Sequence, residues 1–209
     1  MKDINMNETK NYPNQHTNRT LSTATKMINS NYKNILEFGV AVGTSTAQLR
    51  NLLSLDYKIF AFDSFYGLPE DWFDNNILVA GKTCFTQNGT IPNIPNVTFY
   101  KGWFEETIPQ YIKEHHNEPI ALVHMDCDIY SSAKTALEGI TPYVVKDTMF
   151  VIDDWVFQHV GNEETKKLHS QPDNVQKAFY EWALKYDKAF ELFPIVDDEY
   201  FRRKIQIKN

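Results

Sequence analysis

Five short, nearly continuous apolar runs recur along this chain with helical periodicity between most of them, and that alternation constrains the fold more than any single residue. The runs are Ile35–Phe38, Lys58–Phe62, Val97–Tyr100, Ile120–Met125 and Thr148–Ile152. Strands with no polar side need cover on both faces, which is the situation of parallel strands joined by crossover helices. Apolar spacing predicts helices at Leu21, Ala24 and Ile28, at Leu49, Leu52 and Leu53, at Ile108, Tyr111 and Ile112, at Ala133, Ala136, Leu137 and Ile140, and at Val175, Phe179, Trp182 and Ala183. Ser131 or Ser132 is the expected N-cap of the fourth. The segments Phe190–Val196 and Tyr200–Ile207 flank an Asp-Asp-Glu turn and read as a hairpin that adds an antiparallel strand. The expected fold is α/β: a seven-stranded, mostly parallel sheet with a C-terminal antiparallel hairpin strand and helices on both faces.

The 209 residues suffice for one core, so residues 18–209 are expected to form a single domain. Residues 1–17 carry no periodicity and read as a flexible tail, or as a lid that orders on binding. No run of eighteen apolar residues and no signal-peptide core occurs, which predicts a soluble, cytoplasmic protein. Cys84 and Cys127 form no CxxC or zinc pattern and are expected as free thiols. With 27 acidic against 21 basic residues the formal charge is −6, which argues against a nucleic-acid partner. Arg202, Arg203 and Lys204 are the one basic cluster and read as a solvated edge. The expected partner is a small molecule; neither nucleic acid nor membrane is expected, and a homo-oligomer is compatible with the sequence.

Ligands of an open parallel sheet sit beyond the carboxyl ends of the strands. Three features fall there. Glu37-Phe38-Gly39-Val40-Ala41-Val42-Gly43-Thr44-Ser45 joins the first strand to its helix, and small residues at such a turn let a nucleoside cofactor approach the backbone and the free N–H groups of the helix. Glycines occur at such turns for packing alone as well. Asp63 ends the second strand, where an acid can accept both ribose hydroxyls of a nucleoside. Asp126 closes the fourth run and Asp153-Asp154 the fifth, so three carboxylates should meet at one sheet edge, where a hard divalent cation such as magnesium would relieve their repulsion. Helix capping is the plainer alternative. The connection Ser64–Asn96 holds Gly67, Pro69, Gly81, Gly89, Pro92 and Pro95, is expected to be structureless, and by its length is expected to be functional. His124, inside the fourth run, reads as a core histidine.

Together, Leu36-Glu37-Phe38-Gly39 with Gly43-Thr44-Ser45, Phe62-Asp63-Ser64-Phe65-Tyr66-Gly67-Leu68-Pro69-Glu70-Asp71-Trp72, Lys101-Gly102-Trp103-Phe104, Met125-Asp126-Cys127-Asp128-Ile129-Tyr130 and Asp153-Asp154-Trp155 resemble the macrocin O-methyltransferase family (the TylF/MycF type), and more distantly the catechol O-methyltransferases. The resemblance spans about Leu21 to Lys208. It implies a Rossmann-like class I methyltransferase fold, S-adenosyl-L-methionine as cofactor, and Mg2+ or another hard divalent cation. It further implies that Glu37, Gly39, Gly43 and Ser45 line the methionine end, that Asp63 holds the ribose, that Gly102 and Trp103 border the adenine, and that Asp126, Asp153 and Asp154 hold the metal. Two departures count. Ala41 replaces the middle glycine of the common motif, and Ile129 stands where the catechol enzymes place a lysine base, so that base does not carry over.

The expected activity is O-methylation of a hydroxyl on a small molecule, a sugar or glycosylated metabolite by the resemblance. An aliphatic hydroxyl is almost wholly protonated at neutral pH, so metal coordination and a base are both wanted; Asp126, Asp128 and His159 are the candidates for the base. The rivals are an NAD-dependent oxidoreductase, against which the acidic edge and the missing G-x-G-x-x-G run speak, and a non-catalytic cofactor-binding protein.

Overall fold

The computed structural model describes residues 18–74, 77–155, 174–196 and 201–209. In chain order its main elements are α1 (Arg19–Ala24), β1 (Asn34–Phe38), α2 (Thr44–Leu52), β2 (Lys58–Asp63), β3 (Trp72–Asp74), β4 (Ile77–Ala80), β5 (Val97–Lys101), α3 (Phe104–Glu114), β6 (Ile120–Met125), α4 (Tyr130–Ile140), β7 (Met149–Ile152), α5 (Val175–Lys185), β8 (Phe190–Leu192) and β9 (Arg203–Ile207). Seven strands form one sheet in the order β5-β2-β1-β6-β7-β9-β8. The first five of these are parallel, whereas β9 runs antiparallel to both β7 and β8.

The continuous apolar runs are explained by cover on both faces. Leu36 and Phe38 of β1 join a core built from α3, α4 and α5, including Tyr111, Leu137, Phe179 and Trp182. Ile35 points the other way, into a cluster with Leu21 and Ala24 of α1 and Leu49 of α2. Thr148 ties the start of β7 to that of β6: its hydroxyl donates to the Ile120 carbonyl at 2.8 Å and accepts the Val145 N–H at 3.0 Å. Thr148→Val keeps the shape and strands both backbone groups, so a loss of about 1–3 kcal/mol is expected in urea unfolding.

Four local expectations change. α1 ends at Ala24, short of Ile28, which packs on the same cluster from the turns that follow. The N-cap of α4 is Ile129, with no side-chain cap bond, because the Ser131 hydroxyl is turned to Glu70. The connection after β2 is not structureless: β3 and β4 pair antiparallel inside it, and Leu68, Trp72 and Ala80 pack on Ile129. The C-terminal strands are shorter than read. Both cysteines are free thiols. Residues 1–17 lie outside the described residues, and among the described residues no helix is long and apolar enough to cross a membrane.

Candidate active site

Neighbouring β1 and β6 send the chain to opposite sides of the sheet, so their following loops part and leave a crevice, as at the switch point of any doubly wound sheet. Gly39 opens the first of these loops. Its φ is +91°, its N–H donates to the Phe62 carbonyl at 3.0 Å, and a Cβ there would overlap the carbonyl of Asp126. Only glycine fits both demands. A cavity of about 600 Å³ opens beyond the strand ends, lined among others by Gly39 to Ala41, Asp63, Glu70, Gly102, Trp103, Asp126, Asp128 and Ser131.

The other predicted cofactor residues stand apart from that wall. Gly43, at φ +83°, begins α2, and a side chain there would strike Pro92 and Ile94, so packing alone asks for this glycine. Ser45 follows it in the helix. Glu37 is fully buried and turned sideways to His124. Asp63 is on the wall, yet its first partners are backbone: Oδ2 accepts the N–H groups of Val40 at 2.7 Å and Ala41 at 2.9 Å, and Oδ1 that of Phe65 at 2.6 Å. A carboxylate offers about four acceptor sites, so Asp63 shapes the glycine loop and keeps roughly one for a ligand.

At the acidic edge the Asp126 N–H donates to the Phe38 carbonyl and the Asp153 N–H to that of Met125, both at 2.8 Å, which places the two acids at adjacent strand ends. Asp128 and Asp154 sit at φ +64° and +53°, a conformation that side-chain-bearing residues adopt at a cost. One carboxylate oxygen from each of Asp126, Asp128 and Asp154 lies within 4.8 Å of the other two, and His124, Asp126 and Asp153 make a second such group. Burial and facing carboxylates hold Asp126 and Asp154 well above the ordinary aspartate range and push Asp128 up to about 7.

Asp153 differs. Burial works to raise it, but His124 and Arg202 hold it below the ordinary value. Glu37 Oε1 lies 2.9 Å from His124 Nδ1, His124 Nε2 lies 3.4 Å from Asp153 Oδ1, and the Arg202 Nε–H donates to Asp153 Oδ2 at 2.7 Å. The 3.4 Å contact is an ion-pair distance rather than a good hydrogen bond, and Asp153 Oδ1 and Glu37 Oε2 have no hydrogen-bond partner. Burial works against charging His124, but Asp153 and Glu37 outweigh it and raise the imidazole to about 10. His124 is thus in the core but ion-paired, and the cluster at Arg202 to Lys204 is no solvated edge: Arg202 is paired and Lys204 is buried. His159 lies outside the described residues. Glu70, Ser131 and Phe85 also line the cavity; from sequence alone none of them is assigned to the site, because their facing is set by contacts between distant segments, such as the Ser131 hydroxyl donating to Glu70.

A family model described as a methyltransferase domain matches residues 36–155, more than half of the chain. A curated relative, 8-demethyl-8-(2,3-dimethoxy-alpha-L-rhamnosyl)-tetracenomycin-C 4'-O-methyltransferase of Streptomyces olivaceus, is 26% identical over 141 residues, 58% of this chain and 52% of the relative. The chain therefore spans about half the length of that relative. Among solved structures, CalS11, a calicheamicin methyltransferase, superposes with a TM-score of 0.67 at 19% identity over 90% of this chain and 77% of its own. The O-methyltransferase NovP gives 0.61 at 19% identity over 91% and 79%. At these identities the two structures establish the shared fold.

Proposed function

The chain belongs to the methyltransferase-domain family that matches residues 36–155, and from that premise we propose that it is an S-adenosylmethionine-dependent O-methyltransferase, assisted by a divalent metal, that acts on a hydroxyl of a sugar or glycosylated small molecule. The observation that carries this reading is the meeting of Asp126, Asp128 and Asp154 beside a cavity that Gly39 and Asp63 also line. Support for the sugar comes from the name of the Streptomyces relative, a rhamnosyl 4'-O-methyltransferase. Placement in the macrocin type rests on the motifs quoted above. The reading takes residues 18–209 as one catalytic domain, with residues 1–17 as its tail or lid.

The residues fit the metal. All the donors are hard carboxylate oxygens, three of the acids are raised by burial and mutual repulsion, and Asp153 keeps an unpartnered oxygen. Asp126 and Asp154 would hold the ion, joined by Asp153 or Asp128. When bound, the cofactor supplies a methyl activated on a sulfonium, and the ion lowers the pKa of the acceptor hydroxyl. What remains for the chain is alignment and proton removal. The glycine loop, shaped by Asp63, would seat the nucleoside with Gly102 and Trp103 at its far side. Asp128, which faces the cavity beside those acids, is the residue placed to accept the hydroxyl proton.

Asp63→Ala should weaken S-adenosylhomocysteine binding by about 1.5–3 kcal/mol, the worth of a hydrogen bond to a charged group. Calorimetry reads this directly, and an unchanged affinity in a folded variant removes Asp63 from the site. The function itself is tested by supplying methyl-labelled S-adenosylmethionine, magnesium and a panel of rhamnosides and other glycosides. Label on a sugar oxygen is expected. Transfer to phenolic aglycones alone would overturn the sugar assignment.

A further inference from the structure

Four ionisable side chains from neighbouring strands form a string on the sheet face covered by α1 and α2: Glu37 of β1, His124 of β6, Asp153 after β7 and Arg202 before β9. Glu37 and His124 are wholly buried and Asp153 is 5% exposed. Buried ion pairs of this kind are in general no more stabilising than apolar side chains of the same volume, so stability alone does not account for the string. Carboxylates and nitrogen bases alternate along it, and it includes one acid of the edge, Asp153.

We infer that His124, braced by Glu37 on one side and matched by Arg202 on the other, is a positioning residue that fixes the Asp153 carboxylate, so that the acidic edge is preorganised for a divalent ion. Arg202 hydrogen-bonds Asp153 Oδ2 at 2.7 Å, while Oδ1 faces His124 Nε2 at the 3.4 Å ion-pair distance and keeps its hydrogen-bonding capacity unused. A carboxylate held in this way keeps lone pairs for an ion but loses the freedom to swing away from it. Partners that orient metal-binding side chains commonly contribute 10–100-fold in metal affinity, roughly what His124 should supply here. The inference rests on the metal-assisted reading above.

The full chain is titrated with Mn2+, free ion being followed by electron paramagnetic resonance, and separately with S-adenosylhomocysteine by calorimetry. His124→Gln should weaken Mn2+ binding about 10–100-fold and leave S-adenosylhomocysteine affinity within about threefold. A merely structural histidine would lower the melting temperature without moving Mn2+ affinity, and that result in a folded variant overturns the inference. Should His124→Gln fail to fold, Arg202→Gln is put through the same titrations with the same expected direction, and native-like Mn2+ affinity overturns the inference again. A native protein that binds no Mn2+ at millimolar concentration instead overturns the metal reading, and this inference with it, an outcome separable from the variants alone.

Discussion

Exhaustive chelation is expected to reduce methyl transfer by about a thousandfold or more, the kinetic equivalent of the several kcal/mol that a bound cation contributes to transition-state charge stabilisation. S-adenosylhomocysteine affinity should stay within a few-fold, because Gly39, Asp63, Gly102 and Trp103, proposed for the cofactor, are distinct from the acids proposed for the ion. Asp154→Asn should resemble the chelated protein, since it removes a charge and keeps the shape. It is a cleaner probe than Asp153→Asn, which would also leave Arg202 and His124 without their shared carboxylate. Full transfer by metal-free protein, verified by elemental analysis, would remove the metal role proposed for Asp126, Asp153 and Asp154.

Gly39→Ala is expected to be the most damaging glycine-to-alanine change among the described residues. The residue is held at φ +91°, which costs a side-chain-bearing residue roughly 1–2 kcal/mol. Its Cβ would overlap the Asp126 carbonyl, so β1 and β6 must also part at the switch point, at a further 1–3 kcal/mol or more. The sum, about 2–5 kcal/mol, should appear in denaturant unfolding. Cofactor affinity should fall with it, since the loop that Asp63 holds begins at this residue. Gly81→Ala is the control: its φ is ordinary and the nearest neighbour of an added Cβ is an Asp71 oxygen at 3.7 Å. Equal stability of the two variants would contradict the close approach of the strand ends.

The parallel strands and their helices were legible because burial on both faces leaves runs such as Ile120–Met125 without a polar side, a signal local to each run. The acidic edge was legible for a related reason: an acid that closes an apolar run must lie at a strand end. Pairing across strands left no such trace. Glu37 and His124 are 87 residues apart, and nothing in either segment tells that one faces the other rather than the cavity. Arg202 and Lys204 read as solvent-facing because they adjoin Arg203 in sequence, whereas their surroundings are set by β7 and α1. The hairpin of β3 and β4 escaped for its shortness, three and four residues being too few for alternation to register. Asp63 was legible as the end of the second strand, yet its backbone partners belong to the folded loop and could not be read.

The proposed function requires the crevice at β1 and β6 to take S-adenosylmethionine and not a dinucleotide, the other ligand that a glycine turn followed by a strand-ending acid can serve. Calorimetric titration of the full chain with S-adenosylhomocysteine and with NAD, each with and without magnesium, tests it most directly. Saturable one-to-one binding of S-adenosylhomocysteine in both buffers, with no heat of binding for NAD, is the expected result. Saturable binding of NAD with none of S-adenosylhomocysteine would contradict it.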